Sequence, residues 1–149
     1  MSKKKLIRIS HEGTVSTHAF PSGNTREVLD SLMGMIGNGC DSIEYVQPSR
    51  LYDLMGCWRM LSDDTYACML ADEEFLIKDG PKHPNRIASF LYGTDLHGSP
   101  ICGNVLIVGM GTDEHGEHDF DGLEPENFDR LRYLFRCMQE ELQKGQKDG

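Results

Sequence analysis

Three places in the chain carry residue types whose spacing could do chemistry. The first is Pro84-Asn85-Arg86, a proline-fixed turn leading into a short apolar stretch. An arginine there can hold a carboxylate or phosphate through two parallel hydrogen bonds. The free N–H groups of a helix start would add to the grip on an anion. A structural reading stands beside it: Asn85 caps the helix and Arg86 ties the loop to an acid such as Asp64. The second place is Asp113-Glu114-His115-Gly116-Glu117-His118-Asp119. Two imidazoles among carboxylates can bind a divalent metal. Their spacing matches no established motif, and a metal hydrolase needs ligands on rigid elements with a supporting shell. The alternative is a solvated acidic loop without metal. The third place, Gly109-Met110-Gly111-Thr112, lacks both the dinucleotide-binding and the Walker patterns, so its glycines are read as letting the chain leave the sheet. Ser89, Ser99 and the cysteines have no nucleophile elbow or triad context. Trp58, Tyr45 and Tyr66 could form a stacking surface, although aromatics in strands are commonly core residues or cross-strand pairs.

The elements that must position these residues follow from the apolar periodicity. Residues 5–9 and 15–20 flank a glycine-containing turn and predict a β-hairpin. Asn24 with Glu27 has capping-box spacing, and Val28, Leu29, Leu32, Met35 and Ile36 then recur at helical intervals. Together they predict a helix over 25–36, stopped by Gly37-Asn38-Gly39. Residues 43–46 are a strand, and 49–56 an irregular or one-turn helical connection. Residues 58–61 and 65–70 flank Ser62-Asp63-Asp64 and predict a second hairpin. Residues 74–77 are a further short strand or turn, and 85–92 two turns of helix closed by Gly93. Val105-Leu106-Ile107-Val108 is a continuous apolar run, as expected of a strand buried on both faces. Pro125 opens a long helix whose stripe is Phe128, Leu131, Leu134, Phe135, Met138 and Leu142. The order β-β-α-β-β-β-(short α)-β-α predicts one α+β domain, its core about residues 5–143. The sheet is mostly antiparallel, with the helices packed on one face.

The 149 residues suit a single domain, and 38% apolar with 26% charged residues is an ordinary globular composition. No apolar run approaches the roughly 18 residues of a membrane span. The basic Met1–Lys5 segment lacks the apolar stretch of a secretory signal. A net charge of −9 argues against direct nucleic-acid binding through phosphates. The five cysteines, Cys40, Cys57, Cys68, Cys102 and Cys137, show no C-x-x-C spacing. They read as reduced and structural, implying a reducing cytoplasm. No cofactor is called for. Residues 112–127 carry seven acids and neither Lys nor Arg, the strongest charge asymmetry in the chain.

Several of these pieces, taken in order, resemble a known family. They are Ile43-Glu44-Tyr45-Val46, Asp63-Asp64 before an apolar strand, Pro84-Asn85-Arg86, Gly103-Asn104-Val105-Leu106-Ile107-Val108-Gly109, and a long C-terminal helix. Over roughly residues 26–136 the chain resembles the domain of unknown function 3846, a family common in phage and plasmid genomes. The resemblance implies a mobile-element origin and an α+β fold, and it directs attention to Asn85, Arg86 and Asn104. It supplies no substrate. The chain departs from the family pattern at 51–59 and in the enlarged acidic stretch after Gly109.

Three functions compete. The leading one is a non-catalytic accessory binding protein of a phage or plasmid, countering host defence by sequestering a nucleotide-like signal or by blocking a host protein. The ligand residues would then be Arg86, Asn85 and Asn104, with Tyr92 or Trp58 stacking a base. Its partner is a small anionic ligand or a host protein, without membrane, and homo-oligomers are compatible with it. The second is an acidic decoy that mimics nucleic acid through residues 112–127. The third is a metal-dependent hydrolase at His115 and His118.

Overall fold

The computed structural model describes residues 4–37, 39–55, 67–74, 83–94, 100–112 and 118–148. Their strands are β1 (Lys5–Ile9), β2 (Val15–Ala19), β3 (Ile43–Val46), β4 (Ala67–Asp72), β5 (Val105–Thr112) and β6 (His118–Asp121). Their helices are α1 (Thr25–Ile36), α2 (Ser49–Met55), α3 (Arg86–Tyr92) and α4 (Pro125–Asp148). The strands form one antiparallel sheet in the order β2-β1-β5-β4-β3, with β6 also paired to β5. This is an α+β fold, as the element pattern implies. The predicted hairpin, α1, β3, the central strand at 105–108 and the long last helix all form. The first arm of the second expected hairpin, 58–61, and the segment 75–77 lie outside the described residues.

β5 is the centre of the sheet. Its first half pairs with β1 on one side and β4 on the other, and its second half pairs with β6. Successive side chains on a strand point to opposite faces, so one run of apolar residues serves two cores. Ile7, Ile9, Met69, Val105 and Ile107 face one way, against Leu51 of α2, Ile87, Ala88 and Leu91 of α3, and Phe128, Leu131 and Phe135 of α4. Leu6, Cys68, Leu70, Leu106 and Val108 face the other way, against Leu32 and Ile36 of α1. The expectation that the helices share one face is therefore corrected: α1 covers the second face alone among the described helices. The physical reason lies in the strands, since residues 67–71 of β4 and 105–108 of β5 are apolar at every position and would otherwise expose one side. A helical stripe shows that α1 must pack, but not on which side of the sheet.

α1 is started by its own local chemistry. Asn24 Oδ1 accepts from Glu27 N at 2.9 Å while Glu27 Oε1 accepts from Asn24 N, the reciprocal capping box. The carbonyls at the end of α1 are met from the sheet: Arg8 Nε donates to Met35 O at 2.9 Å and Asn104 Nδ2 to Ile36 O at 2.9 Å. α3 ends on Gly93 at φ 86°, a left-handed position that glycine adopts without strain.

The acidic stretch differs from the exposed loop expected over 112–122. Residues 118–121 form β6, which pairs with β5 from Gly109 opposite Asp121 to Thr112 opposite His118. Phe120 and Asp121 are half-buried, and Gly122 and Leu123 are buried. β6 lies in line with β1, and Leu123 N donates to Lys5 O at 2.8 Å. The glycines at 109 and 111 do not end the strand either; β5 runs through them to Thr112. Alternation in 118–121 is masked by its charge, so pattern reading misses the strand. Two of its neighbouring acids are also spent: Lys4 Nζ lies 2.9 Å from both Asp121 Oδ2 and Glu124 Oε1. Hydrogen bonds to those carboxylates, Glu124 first, raise the Lys4 pKa.

Candidate functional site

The segment before α3 is fastened to the sheet through Asn85. Pro84 bridges Cys102, and Asn85 N donates to Ile101 O at 2.7 Å. The Asn85 side chain is fully buried, with 0% exposure. Its Oδ1 accepts from Ala88 N at 3.0 Å, capping α3. Its Nδ2 donates to Ile9 O at 3.0 Å and to Gly103 O at 2.9 Å, joining the end of β1 to the lead-in of β5. Asn104 does similar work one step on: Oδ1 accepts from His11 N at 3.1 Å while Nδ2 reaches Ile36 O of α1. Both side-chain amides named from the sequence are thus engaged with backbone. They position α3, β5 and α1.

Above this junction the His11 and His83 rings stack, centroids 4.7 Å apart and planes at 22°. Backbone holds each: Asn104 accepts from His11 N, and Gly103 N donates to His83 O at 2.8 Å. Sequence reading missed this pair because its members are far apart in the chain and share no spacing motif.

Arg86, one residue beyond Asn85, is exposed and makes no ion pair with another described residue. It stands at a groove of about 420 Å³ between α3 and α4, lined by Arg86, Ile87, Phe90, Leu134, Cys137, Met138, Glu141 and Leu142. Phe90 is 47% exposed, and on α4 Tyr133, one turn before Cys137, is 68% exposed. The Arg50 guanidinium lies 4.6 Å from the Phe90 ring centroid, and its Nη1 donates to Phe90 O at 2.7 Å. Tyr92, the last residue of α3, is half-buried and packs against the core. Trp58 and His115 lie outside the described residues. His118 lies in β6, opposite Thr112.

The structure thus brings Arg86 to a groove and turns Asn85 and Asn104 inward. The amphipathic stripe of α4 was legible in the sequence. The groove was not, because Phe90 and Ile87 on α3 meet the α4 residues only through the fold. Among the described residues no group of three or more His, Cys, Asp and Glu side chains is placed to hold a metal ion. Cys40, Cys68, Cys102 and Cys137 form no disulfide with one another.

Two of these thiols differ sharply. Burial pushes Cys68 up to about 12, whereas Cys137 is exposed at the groove. The thiolate is the reactive form. A maleimide at neutral pH should therefore modify Cys137 within minutes and reach Cys68 only on unfolding. Peptide mapping checks this, and early labelling of Cys68 would contradict its placement.

Comparison of the chain with protein-family models, with curated proteins and with solved structures finds no match. No described helix is long and apolar enough to cross a membrane.

Proposed function

We propose that this chain is a non-catalytic binding protein that works by covering protein surface, with the α3–α4 groove as its contact face. The groove itself carries the reading: six apolar or thiol side chains line it, against one arginine and one glutamate. A contiguous exposed apolar patch with charge at its edges is the usual mark of a protein contact. Arg86 is the one cation among the lining residues, beside the Glu141 carboxylate, and the nearby Arg50 guanidinium is already stacked on Phe90 and bonded to its carbonyl, so a nucleotide would find little uncompensated positive charge there. Of the two partners that the sequence suggested, a protein therefore fits better than an anionic signal. The resemblance to the domain of unknown function 3846 supports placing such a binder among phage or plasmid accessory proteins that block a host protein.

Leu134→Asp tests the reading, because Leu134 is half-buried in the groove rather than in the core. A protein captured from a bacterial host lysate, identified and purified, should bind the parent and lose tenfold or more affinity to this variant. Calorimetric titration with nucleoside mono- and diphosphates should give no heat. Nucleotide binding that Arg86→Ala weakens would replace this reading with the sequestration one.

A further inference from the structure

Resting on the groove as a protein-docking face, we infer that its occupant is the same groove of a second copy of this chain, related by a two-fold axis. The argument is charge complementarity. Arg86 stands on the α3 side of the groove and Glu141 on the α4 side. When such a face meets itself about a two-fold axis, residue i of one copy touches residue j of the other, and j touches i. Arg86 of each copy then meets Glu141 of its mate, and the apolar side chains between them close over each other.

The present partners of these charges do not compete strongly. Arg86 has no ion pair with another described residue, as above. Glu141 has only Lys144 at 3.5 Å, within one turn of α4 and with both side chains largely exposed. An exposed pair of that kind contributes little. A like-charge contact across a docked face is costly, so changing either partner alone should separate the copies.

The test is a charge exchange. Sedimentation and light scattering on the parent at tens of micromolar should give twice the 16.8 kDa chain mass. Arg86→Glu and Glu141→Arg should each weaken self-association at least tenfold. Both sites are exposed, and unchanged melting curves would confirm that the variants fold. Mixed together, the two variants should associate again, because one copy then carries both acids and the other both bases. The doubly exchanged chain should likewise pair with itself.

A monomeric parent would overturn the inference while leaving the groove open to a host partner. So would a dimer indifferent to both substitutions, or a mixture that stays monomeric. Failure of the docking-face reading looks different: Leu134→Asp would then leave every protein contact unchanged, self-association included.

Discussion

Alanine at Gly122 is expected to lower the unfolding free energy by about 2–4 kcal/mol, a typical range for overpacking a close contact. A Cβ there would sit 2.3 Å from Lys4 Cβ and 2.9 Å from Lys4 C, far inside contact distance. Gly109 is its counterpart in the central strand, where a Cβ would lie 2.5 Å from Gly122 O. The two glycines let β5, β6 and the start of β1 meet backbone to backbone, and a strand glycine often marks such an approach. Gly109→Ala should therefore cost a similar amount. The double variant should cost less than the sum, because both changes strain one contact. At roughly 2–4 °C per kcal/mol for a chain of this size, the single variants should melt about 5–15 °C lower. Gly34→Ala is the control: it lies within α1 with nothing inside 4 Å of an added Cβ. It should gain about 0.5–1 kcal/mol from helix propensity. Urea midpoints for these four variants and the parent decide the matter. A Gly122→Ala melting point within 2 °C of the parent would remove the three-strand junction from the account.

Asn85→Ala should be as damaging, by about 3–5 kcal/mol, through loss of the cap and two unsatisfied carbonyls. The carbonyls are Ile9 O and Gly103 O, which accept from Asn85 Nδ2. Asn85→Asp separates the two roles. It keeps the oxygen that accepts from Ala88 N but turns an acceptor toward those two carbonyls. A carboxylate buried there is disfavoured, so the aspartate should titrate above its ordinary value. The folded state then binds more protons than the unfolded one, and stability falls as pH rises through that range. Asn85→Asp should therefore be worse than Ala at pH 7 and recover part of the loss near pH 4.5, where the protonated acid donates once. Denaturant curves at both pH values check this. A ligand-binding role for Asn85 would give the opposite pattern, with stability kept and binding lost.

The two asparagines show where a sequence is ambiguous. Pro84-Asn85-Arg86 was legible as a turn before a helix, and the capping role of Asn85 follows from local spacing alone. Its second role, joining β1 to the lead-in of β5, depends on partners remote in the chain. Asn104 is the same case, reaching the end of α1 and the turn after β1. A buried polar side chain must find partners, but its type does not say whether those partners are backbone or ligand.

Local and periodic features were thus determined by the sequence itself. The Asn24–Glu27 capping box, the stop at Gly37, the stripe of α4 and the buried run at 105–108 each depend on residues a few positions apart, whose spacing matches a fixed backbone period. The tertiary structure decided what depends on distance across the fold. It put α1 on the opposite face of the sheet from α2, α3 and α4, because β4 and β5 are apolar on both sides. It made a strand of the charged segment 118–121, where ladder hydrogen bonds to β5 outweigh a composition that reads as loop. It also set Arg86 of α3 across from Glu141 of α4 over an apolar groove, a juxtaposition that two separate amphipathic helices acquire only when one core packs both.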